Sequence, residues 1–458
     1  MEGVAGEERR NRKEFYFKTD IIPEIVKEIQ KAESFIKIAI FQMHDERIFK
    51  ALEQKLPGVK IEIMTLPYDS IHNRVYKEVV ERFSKLERKG AEVKFIPWNV
   101  GDPERTTTAV GRWYSYHGKF MATDKAAIGL SANFTEAAEL DAMIIFREQG
   151  RIEQFLGKFE QLEERFVRKT NGDFGTIKSE ILRYNYERVT SGEVFELPDS
   201  IATSFKDIWI KDYPPEMCPE EIPKSDGLYI TPFDCRGRTL FEALISSTQK
   251  CLYLSTESFT DNEILNSLRS AKIRGVDIKI LTGYKSMDFP LRVQQNLLML
   301  LGFGIEVRNP EEELHAKLLM SDEYLMISSI NLNKINLGFK FNRFWRENTE
   351  SFYLCSDPEI IQLAKTRFLE VFNTADDVFE GIAGKNKFQI GQIIARTHNF
   401  RSSDRAKLAL SKIKLEKSLQ ADNEFQTILR DAIDFAKKRS SNRVDLEDIE
   451  QALEKNKG

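Results

Sequence analysis

Residues 34–66, SFIKIAIFQMHDERIFKALEQKLPGVKIEIMTL, read as strand, polar turn, helix and strand. SFIKIAIF is dense in branched apolar residues, as a buried strand requires. Ile48, Ala51 and Leu52 then recur at the spacing of one helical face. Residues 250–283, KCLYLSTESFTDNEILNSLRSAKIRGVDIKILTG, repeat that order, with Ile264, Leu265 and Leu268 on the helical face. Asp45 and Asp261 stand where each helix begins and are expected N-caps; Gly58 and Gly275 mark the expected ends. The parallel continues. A charged amphipathic helix over 70–90 precedes the strand AEVKFIPW, and a helix over 290–303 precedes GIEVRNP. The apolar stretches AAIGLSANF and YLMISSINL follow, and each half closes with a long helix, EQGRIEQFLGKFEQLEERFVR or PEIIQLAKTRFLEVF.

Strands alternating with helices predict α/β layers around a buried, largely parallel sheet. Two such units in tandem predict lobes related by a pseudo-twofold axis. The expected divisions are a flexible N-terminus at 1–13, a first lobe at 14–200, a second at 201–380 and a helical C-terminal domain at 381–458. Residues 190–226, sprinkled with proline, are the expected connection between lobes. In the last segment Phe425, Ile428, Leu429, Ala432, Ile433 and Ala436 form one helical stripe. Asp445 is the expected cap of a final helix carrying Leu446, Ile449 and Leu453. This pair resembles the second half of a histone fold. A plain helical cap or dimerisation module is the simpler reading, because such a stripe must bury itself on something.

Composition narrows the function classes. The net charge of −4 argues against wholesale nonspecific attraction to nucleic acid or anionic lipid, though not against a local basic groove. Four scattered cysteines lack zinc-site spacing and disulfide density, so a reducing cytoplasm is expected. The start MEGVAGEERRNRKEF has no signal-peptide core, and no apolar run nears the ~18 residues of a membrane span.

The chemistry lies in a motif that occurs once per repeat. YHGKFMATD holds His117, Lys119 and Asp124; LHAKLLMSD holds His315, Lys317 and Asp322. Seven and nine residues beyond each aspartate stand Ser131 with Asn133, and Ser329 with Asn331. Two copies at matching places in matching repeats point to one shared site. On a strand, His and Lys two residues apart face the same way. Two facing strands would set two histidines and two lysines around one phosphate, with Asn133 and Asn331 as neutral donors.

This constellation resembles the phospholipase D superfamily, whose signature is H-x-K-x4-D with a downstream Ser-x-Asn, twice in bilobed members. The resemblance implies one histidine that attacks phosphorus to give a phosphohistidine and a second that protonates the leaving oxygen. It implies no metal and no cofactor. His117 is the expected nucleophile and His315 the expected acid and base. Lys119, Lys317, Ser131, Ser329, Asn133 and Asn331 are the expected phosphate-binding set, and Asp124 and Asp322 the structural members of the motif. Asp141 and Glu350 are the expected acids that orient the imidazoles. Two departures are visible. Leu130 and Ser328 stand before the serines where the family often has glycine, and Glu139 in the first half faces Asn348 in the second.

Aromatic and basic residues flank the motifs. Trp113, Tyr114 and Tyr116 precede the first; Lys334, Lys340, Arg343, Trp345 and Arg346 lie in a longer insertion after Asn331. Such a mixture suits single-stranded nucleic acid or a membrane interface. The leading expectation is a cytoplasmic, metal-independent nuclease on DNA or RNA. The alternative is a phospholipid hydrolase or phosphatidyl transferase. A nucleic-acid-binding scaffold without turnover is a second alternative. Expected partners are nucleic acid, possible membrane lipid, and a second copy through the C-terminal helices.

Overall fold

The computed structural model describes residues 13–65, 76–95, 116–166, 212–213, 218–257, 259–283, 296–297, 299–300, 302–341, 344–378, 401–402, 422–439 and 443–455. The first half runs β1 (Glu14–Thr19), α1 (Ile22–Lys31), β2 (Phe35–Ile40), α2 (Glu46–Lys55), β3 (Lys60–Thr65), α3 (Tyr76–Arg88), β4 (Glu92–Phe95), β5 (Lys119–Thr123), β6 (Ala127–Leu130), β7 (Leu140–Phe146) and α4 (Gln149–Phe166). Its seven-stranded sheet has the order β1-β7-β6-β5-β2-β3-β4.

The second half begins with β8 (Asp212–Tyr213), β9 (Gly227–Thr231), α5 (Gly237–Ser247), β10 (Cys251–Thr256), α6 (Asn262–Ile273), β11 (Asp277–Thr282) and β12 (Glu306–Asn309). It continues through β13 (Leu318–Met320), β14 (Leu325–Ser328), α7 (Lys334–Leu337), β15 (Phe339–Phe341), β16 (Phe344–Arg346), β17 (Glu350–Cys355), α8 (Pro358–Thr374) and β18 (Asp376–Asp377). The larger sheet, β18-β12-β11-β10-β13-β14-β17-β9, repeats the first in mirrored listing and adds β18 at its edge. The insertion pairs with β8 in a small sheet, β15-β16-β8, with no counterpart among the described residues of the first half.

The expected repeat is therefore present, but the sheets are not largely parallel. β2–β3 and β3–β4 are parallel, whereas β1–β7, β7–β6, β6–β5 and β5–β2 are antiparallel. The physical reason is connection length. β5 and β6 are separated by Asp124, Lys125 and Ala126, too short for a parallel crossover. Helices α1 and α2 lie in parallel crossovers or on the same outer layer, which is where the strand–helix alternation was legible.

Local signals hold at the helix starts. The Asp45 carboxylate accepts from the Arg47 N–H at 2.8 Å, and Asp261 accepts from Glu263 and Ile264 at 3.0 and 3.1 Å. Gly275 adopts φ +92 just past α6, a conformation that costs glycine nothing. Gly58 is different: α2 ends at an extended Leu56, and Gly58 lies beyond it.

Three apolar layers organise the whole. Ile36, Ile38, Ile48 and Leu52 join an outer cluster on one side of the first sheet. Phe120, Ile144 and Phe155 share a central cluster with Leu318, Ile327, Tyr353 and Phe368, so the two halves meet in a common core. The third cluster joins Leu254 and Ile280 to Ile428, Leu429, Ala432, Ala436, Val444, Ile449 and Ala452. These last belong to α9 (Asp422–Lys438), α10 (Leu446–Lys455) and the short strand between them, Arg443–Val444, which pairs with Arg401–Ser402. The C-terminal stripe thus buries against the second half of its own chain. Asp445 sits at the start of α10, and the Asp448 carboxylate accepts from its backbone N–H at 2.8 Å. Among the described residues, no helix is long and apolar enough to cross a membrane.

Candidate active site

Both motifs sit where the two sheets face each other. Lys119 opens β5 opposite Ile40, the last residue of β2. The second half matches it, with Lys317 just before β13 and Ser255 of β10 opposite Leu318. The chain before each histidine crosses to the other half. Tyr116 bridges Thr349, and Leu314 bridges Leu140. The His117 N–H donates to the Thr349 carbonyl at 2.7 Å, and the His315 N–H donates to the Leu140 carbonyl at 3.0 Å. The spacer in the first motif is small because the Tyr116 ring lies over it: a Cβ at Gly118 would come within 2.9 Å of that ring.

This crossing pairs each histidine with the acid of the opposite half. His117 Nδ1 lies 2.9 Å from Glu350 Oε2, and His315 Nδ1 lies 3.0 Å from Asp141 Oδ1. A carboxylate only accepts, so each Nδ1 carries a proton and each Nε2 is turned over to chemistry. Asp141 and Glu350 were expected as orienting acids; their exchange between halves was not.

Ser131 and Ser329, expected on the phosphate, stand behind the acids instead. Ser131 Oγ donates to Asp141 Oδ1 at 2.7 Å and accepts from the Ala142 N–H at 2.9 Å. Ser329 Oγ donates to Glu350 Oε2 and accepts from the Ser351 N–H at 3.0 Å. Both serines are buried, and their donors are consumed holding carboxylates. Asn336 of α7 donates to the other Glu350 oxygen, a contact supplied by the insertion.

Lys119 and Lys317 are fully buried, and each folds back on its own motif. Lys119 Nζ donates to the His117 carbonyl at 2.9 Å and lies 3.2 Å from His117 Nε2. Lys317 Nζ donates to the His315 carbonyl at 2.5 Å and to Glu257 Oε2 at 3.3 Å. Burial, with Lys317 nearby, depresses the Lys119 pKa to about 7. Burial also lowers the pKa of His117; Glu350 opposes this and the two lysines add to it. Partial desolvation works to raise that of Glu257, yet Lys317 and His315 beside it hold it at about 2. Burial raises the Glu139 pKa against the pull of His315, with Asp141 adding to the rise. Asn133 and Asn331 each keep a buried side-chain oxygen without a hydrogen-bond partner, at matching places in the two halves.

Asp124 and Asp322, expected as structural members of the motif, both accept backbone N–H groups. Asp124 accepts from the Glu33 and Ser34 N–H groups at 2.9 and 3.3 Å. Asp322 accepts from Gln249, Lys250 and Cys251 at 2.7, 2.8 and 3.0 Å. Each pins the chain entering the strand beside its motif. Of the groove residues, Trp113, Tyr114 and Arg343 lie outside the described residues, as do the side chains of Trp345 and Arg346. Lys340 is exposed on β15, and Tyr116 is a fully buried core residue rather than a groove wall.

Sequence reasoning missed Glu257, Phe41 and Asn336. Phe41 packs edge-on against His117, ring centroids 4.5 Å apart. Aligning the repeats through Asp45 and Asp261 would have set Phe41 against Glu257. Asn336 carries no such signal, since the insertion has no partner to align. Glu139, Asp141 and His315 also place donor atoms within 4.8 Å of one another. The 3.0 Å hydrogen bond between His315 and Asp141 accounts for that closeness, so the trio is a histidine with its carboxylates.

Comparison with known proteins agrees with this architecture. A family profile described as "Cardiolipin synthase, PLD-like domain" matches residues 25–163 and 241–372, one segment in each half. A cardiolipin synthase of Clostridium perfringens is 23% identical over 350 residues, 73% of this chain and 67% of the relative. The crystal structure of phosphatidylserine synthase from Haemophilus influenzae Rd KW20 aligns with a TM-score of 0.53 at 14% identity, covering 80% of this chain and 87% of that one.

Proposed function

The chain belongs to the phospholipase D-like family, and from that premise we propose that it cleaves or transfers the phosphodiester of a phospholipid through a phosphohistidine. The carrying observation is the crossed pair His117–Glu350 and His315–Asp141, flanked by two buried lysines. An imidazole with Nδ1–H held by a carboxylate offers its Nε2 lone pair to phosphorus. As the P–N bond forms, the P–O bond to the leaving alkoxide breaks, and the other histidine's Nε2 proton passes to that oxygen. In the second half, an acceptor hydroxyl or water attacks phosphorus and loses its proton to that histidine, and the P–N bond breaks. Lys119, Lys317, Asn133 and Asn331 supply the donors for the non-bridging oxygens.

A lipid substrate is favoured over nucleic acid by the match to the cardiolipin synthase family profile and the likeness to a cardiolipin synthase. The nuclease expectation rested on the doubled motif, the lack of a membrane-length apolar run and the excess of basic residues in the C-terminal segment, none of which distinguishes one phosphodiester from another. The test is direct. Short-chain phosphatidylglycerol, phosphatidylcholine, single-stranded DNA and RNA are each incubated with the protein in EDTA, with and without added glycerol. The expected result is headgroup release or exchange with nucleic acid intact. Cleaved nucleic acid beside untouched lipid would overturn the lipid reading. Activity only after metal is restored would overturn the mechanism.

A further inference from the structure

Among the differences between the two halves around the site, one lies beside the Nε2 faces of the histidines. Phe41 follows β2 just as Glu257 follows β10, each four residues before its capping aspartate. The bridges Met43–Phe134 and Phe259–Leu332 fix that equivalence. Phe41 presents an apolar edge to His117, and the Lys119 ammonium lies 5.4 Å from the same ring. Glu257, 46% exposed at its side chain, places Oε2 3.9 Å from His315 Nε2 and 3.3 Å from Lys317 Nζ.

The surroundings of the two rings therefore differ in sign. His117 meets one carboxylate, Glu350, at Nδ1, and at Nε2 it meets Lys119 at 3.2 Å, with Lys317 contributing from farther away. His315 meets Asp141 at 3.0 Å and Glu139 at 3.6 Å on the Nδ1 side, and Glu257 on the Nε2 side. Its cationic neighbour, Lys317, is drawn to the His315 carbonyl and to Glu257. A ring with carboxylates at both nitrogens is best matched by two N–H donors, which is the imidazolium. A ring with a carboxylate at one nitrogen and an N–H donor at the other is best matched by the neutral form, its lone pair on Nε2.

We propose that Glu257 is a positioning residue that holds the Nε2–H of His315 for the leaving oxygen, a task that the apolar Phe41 does not perform beside His117. This rests on the phosphodiester reading above. The proton on His315 Nε2 goes to the leaving oxygen as His117 Nε2 bonds to phosphorus. Glu257 then faces a neutral His315 that is ready to take the acceptor's proton. Replacing Phe41 by glutamate in the first half would have given both rings the same charge preference and removed the division of labour.

Two measurements test this on the full chain. Nitrogen-15 histidine NMR follows the protonation of His117 and His315 in wild type and in Glu257→Gln, with His117→Ala and His315→Ala giving the assignments. At one fixed pH, Glu257→Gln is expected to move the His315 ring nitrogens toward the neutral pattern and to leave those of His117 in place. An unmoved His315 pattern, or a change confined to His117, overturns the proposal. The second measurement traps the phosphorylated protein with bis(p-nitrophenyl) phosphate, whose leaving group departs without a proton. His315→Ala should accumulate the label and His117→Ala should not; the reverse pattern overturns the assignment. If wild type reacts with no diester at all, the functional reading fails, while the nitrogen-15 pattern still decides the role of Glu257.

Discussion

Changing Glu350 to glutamine alters one atom and should halt the first chemical step. Glu350 is fully buried and accepts from His117 Nδ1 at 2.9 Å, from Ser329 and from Asn336. The amide is isosteric, so those neighbours keep their places. Its NH2 group can, however, turn toward His117 and demand that Nδ1 accept. The ring proton then moves to Nε2 and the nucleophile is lost. Wrong-tautomer substitutions of this kind cost about 10^4 in rate, or about 5.5 kcal/mol at 1.36 per decade. Coulomb's law gives a similar size. Attack leaves the ring cationic, and a carboxylate 2.9 Å from Nδ1 attracts that charge by ~6 kcal/mol at an effective dielectric of ~20. Rapid-quench measurement of the p-nitrophenol burst isolates this step from turnover. A burst within tenfold of wild type, in protein whose unfolding midpoint is unchanged, would refute the tautomer argument. Asp141→Asn offers the contrast, because it should slow protonation and so penalise alkyl leaving groups far more than p-nitrophenol.

Other consequences are equally open to measurement. With its pKa at about 7, Lys119 is mostly neutral at pH 8 in the empty site, and a bound diester monoanion should recharge it. Dimethyl phosphate binding at pH 8 should therefore take up about 0.9 proton, read by calorimetry in buffers of different ionisation heat, and Lys119→Met should abolish the uptake. Asp322 has its pKa lowered by three backbone N–H donors against the opposing effect of desolvation. A depressed carboxyl stabilises the fold above its unfolded value and loses that contribution as pH falls through the folded one. Asp322→Asn should accordingly flatten the acid limb of the stability curve below about pH 4; an unchanged limb would contradict the linkage. Ile449→Ala should lower stability by about 2–5 kcal/mol in denaturant unfolding, because Ile449 is fully buried in the core shared with the second half. A loss below 0.5 kcal/mol, on the order of an ordinary surface change, would mean that α10 is peripheral.

The repeat and its histidines were legible because they are written in local spacing. Three residues from Asp to the helical face, two from His to Lys and seven from Asp to Ser survive in any correct fold. The direction of the strands was legible too, in the short link Asp124–Ala126, yet the strand–helix alternation outweighed it. What spacing cannot carry is which half serves which. Glu350 lies 233 residues from the histidine it orients, and Asp141 lies 174 from its own. The serines illustrate a different loss. A hydroxyl near a phosphate site reads as a ligand for the phosphate until burial and a carboxylate at 2.7 Å give it other work. Asn336 was hidden because an insertion has no counterpart, and Glu257 because strand ends look like turn.

The exchange of acids across the seam makes the catalytic centre a coincidence detector for the closed molecule. Each histidine reads whether the opposite half is in register, through one side-chain bond and one backbone bond to that half. A slight opening of the seam severs both readings together while every secondary element remains intact. Catalysis should therefore fade on heating before ellipticity does, and a molecule sprung open is silenced in both proton-transfer steps at once. On the proposed mechanism, phosphohistidine forms only where the seam is shut.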